Sequence, residues 1–394
     1  MKIGLYLEST YSVQNDILFC DDIYINTFDQ IALDNKFSYS VLVRFRNDFE
    51  KAKYELKSCI SFSSMGLYKS IPHFILSYPA LRNSINCIIS SFIKENDLLF
   101  IMVPSPISIL ILNFCHEYNK SVVLIIRQDL QEYVKYRYNI LMFPFANLFV
   151  NYYELKLINY IKKRDVRLVV TGLKLFNKYK KYTNNIYNFI DSRFSESNIP
   201  DSELLKILKA KNVICTKVIY VGKLEKNKGI FDLIKIIKYF PENVELSIVG
   251  EGKDKDNLVK FITKHKVDNF VKLFGFIPPG ELLFQKLKES DVFLFPSYSE
   301  GLPQVILEAM VCGCFVISSD VGSISSVIVN QNNGVLCRPG MINQFVLALN
   351  DFINNKYNNL DYINFSNVIV KQYTQDKQLL IFKNLLIETL NKSL

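Results

Sequence analysis

Two α/β domains in tandem are what this sequence predicts, on three observations. The 394 residues exceed the roughly 250–300 at which one hydrophobic core usually stops growing. Short β-branched runs alternate with longer segments of helical period, and a polar stretch divides that alternation in two. In the first half Ile3–Leu7, Leu98–Val103, Val122–Ile126 and Leu168–Thr171 read as strands, with Asn83–Lys94 and Ile107–Tyr118 as helices between some of them. Near-continuous apolar strands joined by helices belong to a parallel sheet covered on both faces. The second half repeats the pattern at Val218–Val221, Glu245–Val249, Val271–Phe274, Val292–Phe295 and Phe315–Ser318, with helical stretches at Ile230–Phe240, Asp254–His265 and Pro303–Cys312. The polar Phe194–Pro200 and charged Asp201–Lys211 segments are the linker candidate. After about Asn350 the strand signal weakens, and Lys377–Leu390 reads as an amphipathic helix that packs on one domain or bridges both. The expected division is residues 1–200, 201–370 and a terminal segment 371–394 that packs back on the first domain.

With 49% hydrophobic and 22% charged residues the chain is globular, which excludes a mainly disordered or fibrous protein. The net charge of +9 fits an anionic small molecule, an anionic lipid or a nucleic acid equally well. The eight cysteines contain no CxxC pair, and the three histidines lie far apart, so no zinc set is legible and the thiols read as reduced core residues. The apolar Ile3–Leu7 after Met1-Lys2 is too short for a signal-peptide core, which makes the cytoplasm the expected compartment. The longest apolar stretch, Tyr138–Val150, has 13 residues and contains Pro144; a bilayer span needs about 20.

The chemistry concentrates between Val218 and Pro339. The strand ending at Gly222 is followed by Lys223 and Lys228, just before a helix. A strand-to-helix turn gathers backbone N–H groups and the positive helix end, where phosphate is favoured. The bland alternative is a pair of solvated lysines. Further on, Val292–Phe295 stops at Pro296, Ser299 or Gly301 is placed to cap, and Pro303 suits a first helical turn. Glu300 then sits at the lip, and Glu308, whose side chain leans toward the helix start, points back at the same mouth. Glu308 is the only residue charged at neutral pH between Gln304 and Ser318. A carboxylate in such surroundings is either at a wet seam or held by specific donors.

The run Glu300-Gly301-Leu302-Pro303, with Glu308-Ala309-Met310, Gly313 and Asp320-Val321-Gly322, resembles the carboxyl-terminal half of family 4 glycosyltransferases, which are retaining enzymes of the GT-B fold. Gly222-Lys223, Lys228-Gly229, Gly250-Glu251-Gly252, Val271 to Gly275, Asp291-Val292-Phe293 and Gly334-Val335-Leu336 follow in that family's order, and the resemblance covers roughly Val218–Pro339. It implies two Rossmann-like domains facing across a cleft, an acceptor on the first and a nucleotide-sugar, expected to be a UDP-sugar, on the second. It further implies that Lys223 and Lys228 hold the donor diphosphate, Lys223 standing where the family often has arginine. Glu300 then contacts the transferred sugar with the backbone of Gly301, Leu302, Pro303 and Gln304, Glu308 accepts from the ribose, and Gly275-Phe276-Ile277 lies beside the base. The catalytic candidates are Glu300, Lys228 and, on the acceptor side, Asp129.

The amino-terminal half matches this pattern poorly. Leu7 runs into Glu8-Ser9-Thr10-Tyr11-Ser12 rather than a glycine-rich turn, and Arg127-Gln128-Asp129 stands where the family often has histidine. Ser326 replaces a usual acidic residue. Asp254-Lys255-Asp256 has the DxD spacing of a different glycosyltransferase fold but reads as a capped turn, so independence of metal is expected. From Arg127 to Lys181 there are 12 Lys/Arg and 4 Asp/Glu with aromatics interleaved. This is either a surface for an anionic inner leaflet and a lipid-linked acceptor or a solvated face over aromatic core. No RRM, KH or zinc pattern accompanies it, so nucleic acid is not an expected partner. The expectation is a glycosyltransferase of bacterial surface-polysaccharide assembly (O-antigen, capsule or lipopolysaccharide). The competing readings are a catalytically silent GT-B-like partner subunit and another nucleotide enzyme such as an epimerase.

Overall fold

The apolar runs become strands buried on both faces of two parallel sheets, as their lack of polar alternation requires. The architecture comes from a computed structural model; the structure describes every residue except 1, 8, 10, 16, 21–22, 35, 44–53, 66–70, 106, 138–142, 165, 191, 211–214, 242, 355–359 and 394. The first sheet has seven strands, in spatial order Ile186–Asn188, Arg167–Val170, Ser121–Ile126, Leu98–Val103, Ile3–Tyr6, Tyr39–Val43 and Cys59–Ser64. The second has six: Val271–Gly275, Val244–Val249, Thr216–Val221, Val292–Phe295, Phe315–Ser319 and Gly334–Cys337. In both, the order runs outward from the first strand to the third on one side and from the fourth onward on the other. The chain therefore reverses direction between Ile3–Tyr6 and Leu98–Val103, and again between Thr216–Val221 and Val292–Phe295. Crevices for ligands open beyond the carboxyl ends of strands at such switch points.

Three strands of the first sheet escape a hydrophobic reading: its two edge strands are polar or short, and the inner strand Tyr39–Val43 is broken by a serine. Cys59–Ser64 carries Ser61, Ser63 and Ser64, Tyr39–Val43 carries Ser40, and Ile186–Asn188 has three residues. A small antiparallel sheet of Tyr11–Gln14, Ile17–Cys20 and Tyr54–Glu55 adds to this domain. The charged half of the expected linker is a helix, Ser202–Lys209. Asp201 caps it, accepting from the backbone N–H of Glu203 at 2.9 Å and Leu204 at 3.1 Å, and Leu205 enters the second core. No disulfide joins the eight cysteines, but they are not uniformly core: Cys87 is exposed, and Cys59 and Cys215 are half-buried. Burial pushes the Cys115 and Cys337 thiols up to about 12.

The chain crosses between domains twice, side by side. The Gln375 N–H donates to the Phe194 carbonyl at 2.8 Å, and Ile190 N–H donates to Gln378 Oε1 at 2.8 Å. The preceding helix, Asp361–Val370, packs Tyr362, Ile363 and Val370 into the second core. The last helix, Gln375–Ser393, instead lays Phe382, Leu385 and Leu386 into the first core. There the Phe382 ring lies 5.8 Å from Phe28, 6.0 Å from Phe100 and 5.3 Å from Phe189. Truncating a fully buried phenylalanine leaves a cavity that costs about 3–5 kcal/mol. Phe382→Ala is therefore expected to destabilise the first domain by that amount, read as a lowered midpoint in urea unfolding; an unchanged midpoint means the helix is not docked there.

Candidate functional site

The turn after Thr216–Val221 is fixed from beneath. The Tyr220 hydroxyl donates to the Lys223 carbonyl at 3.1 Å, and burial, with Glu300 and Glu225 nearby, holds that phenol protonated. A 3-10 turn over Lys226–Lys228 follows, pinned by Asp254 Oδ2 accepting from the Lys226 N–H at 2.9 Å. The first aspartate of the DxD spacing thus serves the turn. Gly229 closes it at φ +73°, and a Cβ there would lie 2.0 Å from the Pro296 carbonyl oxygen. Only glycine meets both conditions, and its presence lets the two strand-end loops touch. Lys228 Nζ then reaches Glu300 Oε1 at 2.7 Å, and the Ser297 hydroxyl donates to the same oxygen at 2.7 Å. On the other side of the turn the Tyr298 hydroxyl donates to buried Asp232 at 2.5 Å; burial, and then this bond, raises the phenol well above its ordinary range.

Beside this pair lies a cavity of about 520 Å³. Six of the sequence candidates line it: Lys223, Phe276, Ile277, Leu302, Gln304 and Glu308. Glu308, on the helix Gln304–Val311, is only 2% exposed. Pro303 occupies the N-cap itself, one residue earlier than expected, and no side chain caps the helix. Ser299 is engaged elsewhere, accepting from Gln128 Nε2 at 3.0 Å across the domain boundary. The first N–H groups of a helix have no intrahelical acceptor, and Gln304 and Val305 bring this helix start to the cavity wall. Lys228, Glu300, Gly301, Pro303 and Gly275 adjoin the wall without forming it.

The opposite wall comes from the first domain and the crossover: Arg127, Thr171, Ile190 and Arg193. The sequence reading noted Arg127 only as part of Arg127-Gln128-Asp129, from which it took Asp129 as the candidate, and did not single out the other three. Arg127 and Thr171 had a legible signal, since each directly follows a strand, at the edge where ligands bind. Arg193 had none, because a crossover segment has no periodicity to orient it. Asp129 lies apart from the cavity, accepting from the Gln131 N–H at 3.0 Å and from Lys178 Nζ at 3.1 Å. Lys178 also pairs with Glu154 at 3.0 Å, so Asp129 belongs to an internal network of the first domain. Arg193 Nε and Gln304 Oε1 are buried with no hydrogen-bond partner among the described residues, and both residues line the cavity. Among the described residues no three His, Cys, Asp or Glu side chains converge as a metal site does.

The two walls meet in direct contact. Glu132 Oε2 accepts from the Gly322 N–H at 3.2 Å, and the Lys174 N–H donates to Ser323 Oγ at 3.3 Å. A Cβ on Gly301 would stand 2.5 Å from the Arg127 carbonyl oxygen.

Residues 209–367 match the profile of the family described as "Glycosyl transferases group 1". The chain is 32% identical over 126 residues to a glycogen synthase of Mycobacterium tuberculosis, which is 31% of this chain and 30% of that protein. It is 32% identical over 139 residues to the lipopolysaccharide 1,6-galactosyltransferase of Escherichia coli K12, 34% of this chain and 39% of that one. The matches thus span about a third of these relatives' length. Over the whole chain, the structure of Anabaena Alr3699/HepE in complex with UDP superposes with a TM-score of 0.68 at 17% identity, covering 100% of both chains.

Because backbone stands against Gly301, Gly301→Ala is expected to wedge the domains apart. An increased radius of gyration in X-ray scattering, with the melting temperature nearly unchanged, is the expected outcome; identical scattering means the contact yields locally.

Proposed function

We propose, from a carboxyl-terminal domain that belongs to the glycosyl transferases group 1 family within a chain of GT-B fold, that this protein transfers a sugar from a nucleotide-sugar to a saccharide acceptor. The observation that carries the reading is the cavity between the domains. It puts Lys223, Gln304, Glu308 and Arg193 on its walls, beside the Lys228–Glu300 pair. A diphosphate is a doubly anionic guest, and the cations and helix start around this cavity suit it. Glu308, buried and acceptor-only when ionised, suits vicinal hydroxyls such as those of a ribose. Phe276 and Ile277 offer an apolar edge to a base. A uridine nucleotide is the donor class we favour, supported by the UDP held in the HepE structure. The named activity of the lipopolysaccharide galactosyltransferase supports an acceptor that is lipid-linked and belongs to a bacterial surface polysaccharide.

In the proposed reaction the bond from the anomeric carbon to the diphosphate oxygen breaks as the acceptor hydroxyl oxygen bonds to that carbon. The leaving phosphate takes the hydroxyl proton, and attack from the departing side retains configuration. Negative charge gathers on the diphosphate as that bond lengthens, so Lys223, Lys228 and the helix start act most strongly in the transition state. Glu300 has a second task in the apposed loops: it holds the Lys228 ammonium in place at 2.7 Å. Asp129, held by Lys178, acts in this reading as a support for the acceptor-side loop.

Donor panels of UDP-, GDP- and dTDP-sugars test the reading by turnover. Lys223→Ala is expected to lower kcat/KM by about 2–4 kcal/mol, the cost of losing one preorganised transition-state donor. Arg193→Ala is expected to raise donor KM about tenfold or more with kcat little changed, since a hydrogen bond to a charged group contributes about 1.5–3 kcal/mol. Glu300→Ala is expected to abolish transfer. Binding of a nucleotide-sugar with no transfer or hydrolysis in any combination overturns the enzyme reading in favour of a binding subunit.

A further inference from the structure

We propose that the outward face of the helix Phe143–Lys163 is a docking surface for an anionic lipid bilayer, with the helix lying flat in the headgroup region. One side of this helix is core: Val150, Tyr153, Glu154, Leu157 and Ile161 are buried. The other side is apolar and open, with Phe145 73% exposed, Leu148 71%, Tyr152 55% and Leu155 62%. Steps of three, four and seven residues put these on one stripe. Continued by the same steps, the stripe reaches Lys156 and Lys163, both exposed, and Lys156 Nζ stands 5.6 Å from the centroid of the Tyr152 ring. The face is therefore apolar toward its amino end and cationic toward its carboxyl end.

The acids nearby do not offset that charge outward. Asp129 is held by Lys178, Glu132 by Lys174, and Glu154 by Lys178 and the Tyr179 hydroxyl. Two occupants compete for such a face. A second copy of the chain would bury these lysines in its interface, and the cores of protein interfaces are depleted of lysine. A bilayer of anionic lipid takes both halves at once, the apolar side chains below the headgroups and the ammonium groups among the phosphates. No helix among the described residues is long and apolar enough to cross a membrane, so the contact is along the surface. The face is one helix away from the interdomain contact: Gln131, on the neighbouring helix Leu130–Arg137, donates from Nε2 to Asn151 Oδ1 at 3.2 Å, and Glu132 of that helix meets Gly322. A membrane-borne substrate would arrive beside the cleft.

The surface is independent of donor chemistry, so vesicle flotation of the full chain without nucleotide tests it alone. The chain is expected to float with phosphatidylglycerol-containing vesicles, less so at high salt, and weakly with pure phosphatidylcholine. Phe145→Ser, Leu148→Ser and Leu155→Ser together are expected to reduce binding about tenfold or more, with an unchanged circular-dichroism melt. Lys156→Gln and Lys163→Gln, both on exposed positions, are expected to weaken it about fivefold each. Absence of flotation on anionic vesicles, or binding indifferent to both sets of variants, overturns the proposal. So does a dimer in light scattering that the triple serine variant dissociates, which would assign the face to a second copy.

Discussion

The structure around the cleft depends on the contact between two strand-end loops, where the Gly229 backbone approaches the Pro296 carbonyl too closely for any side chain. That contact sits at the switch point of the second sheet, where Thr216–Val221 and Val292–Phe295 are neighbours although the pair they carry, Lys228 and Glu300, is 72 residues apart in sequence. An ammonium and a carboxylate held at 2.7 Å need neighbours that stop either from swinging into water. The Ser297 hydroxyl does so for Glu300, and the pinned 3-10 turn does so for Lys228. With Lys228 20% and Glu300 13% exposed, the pair is worth little as stability. Its value is positional.

The second sheet supplies most of the cavity, and the first domain completes it with cationic groups. This asymmetry follows from how each domain makes its strand ends. In the second domain the loops collapse on one another through glycines and leave a smooth pocket. In the first, the strand ends carry hydroxyls bonded to each other, such as Tyr6 with Ser105 at 3.0 Å, and Asp129 with its lysine. What the first domain contributes to the cavity comes from residues just beyond two strands and from the crossover. Domain contact and cavity shape are therefore coupled: any motion that separates Gln128 from Ser299 also withdraws neighbouring Arg127 from the cavity wall.

Much of this was legible in the residues. The two-layer alternation, the strands Leu98–Val103 and Val292–Phe295, and the likeness of Val218–Pro339 to a family of GT-B proteins are all in the sequence, because buried parallel strands tolerate no polar alternation. The polar edge strands and the small antiparallel sheet were not legible, since an edge strand half in water looks like a loop. Around the site the local signals fixed which residue types sit at strand ends. They did not fix partners: Ser299 reads as a helix cap, yet bonds across the domain boundary to Gln128, and Asp129 reads as an acceptor contact, yet turns to Lys178.

The sequence by itself determined the two α/β domains and the basic, carboxylate-bearing turns of the second, because period, turn chemistry and helix-start residues act within a few positions of one another. The tertiary structure decided which side chains meet. That Lys228 faces Glu300, that Arg193 enters the cavity, and that the face of Phe143–Lys163 carrying Phe145 and Tyr152 is left open follows from sheet order and domain docking. Those are contacts between residues distant along the chain, and no local rule of spacing encodes them.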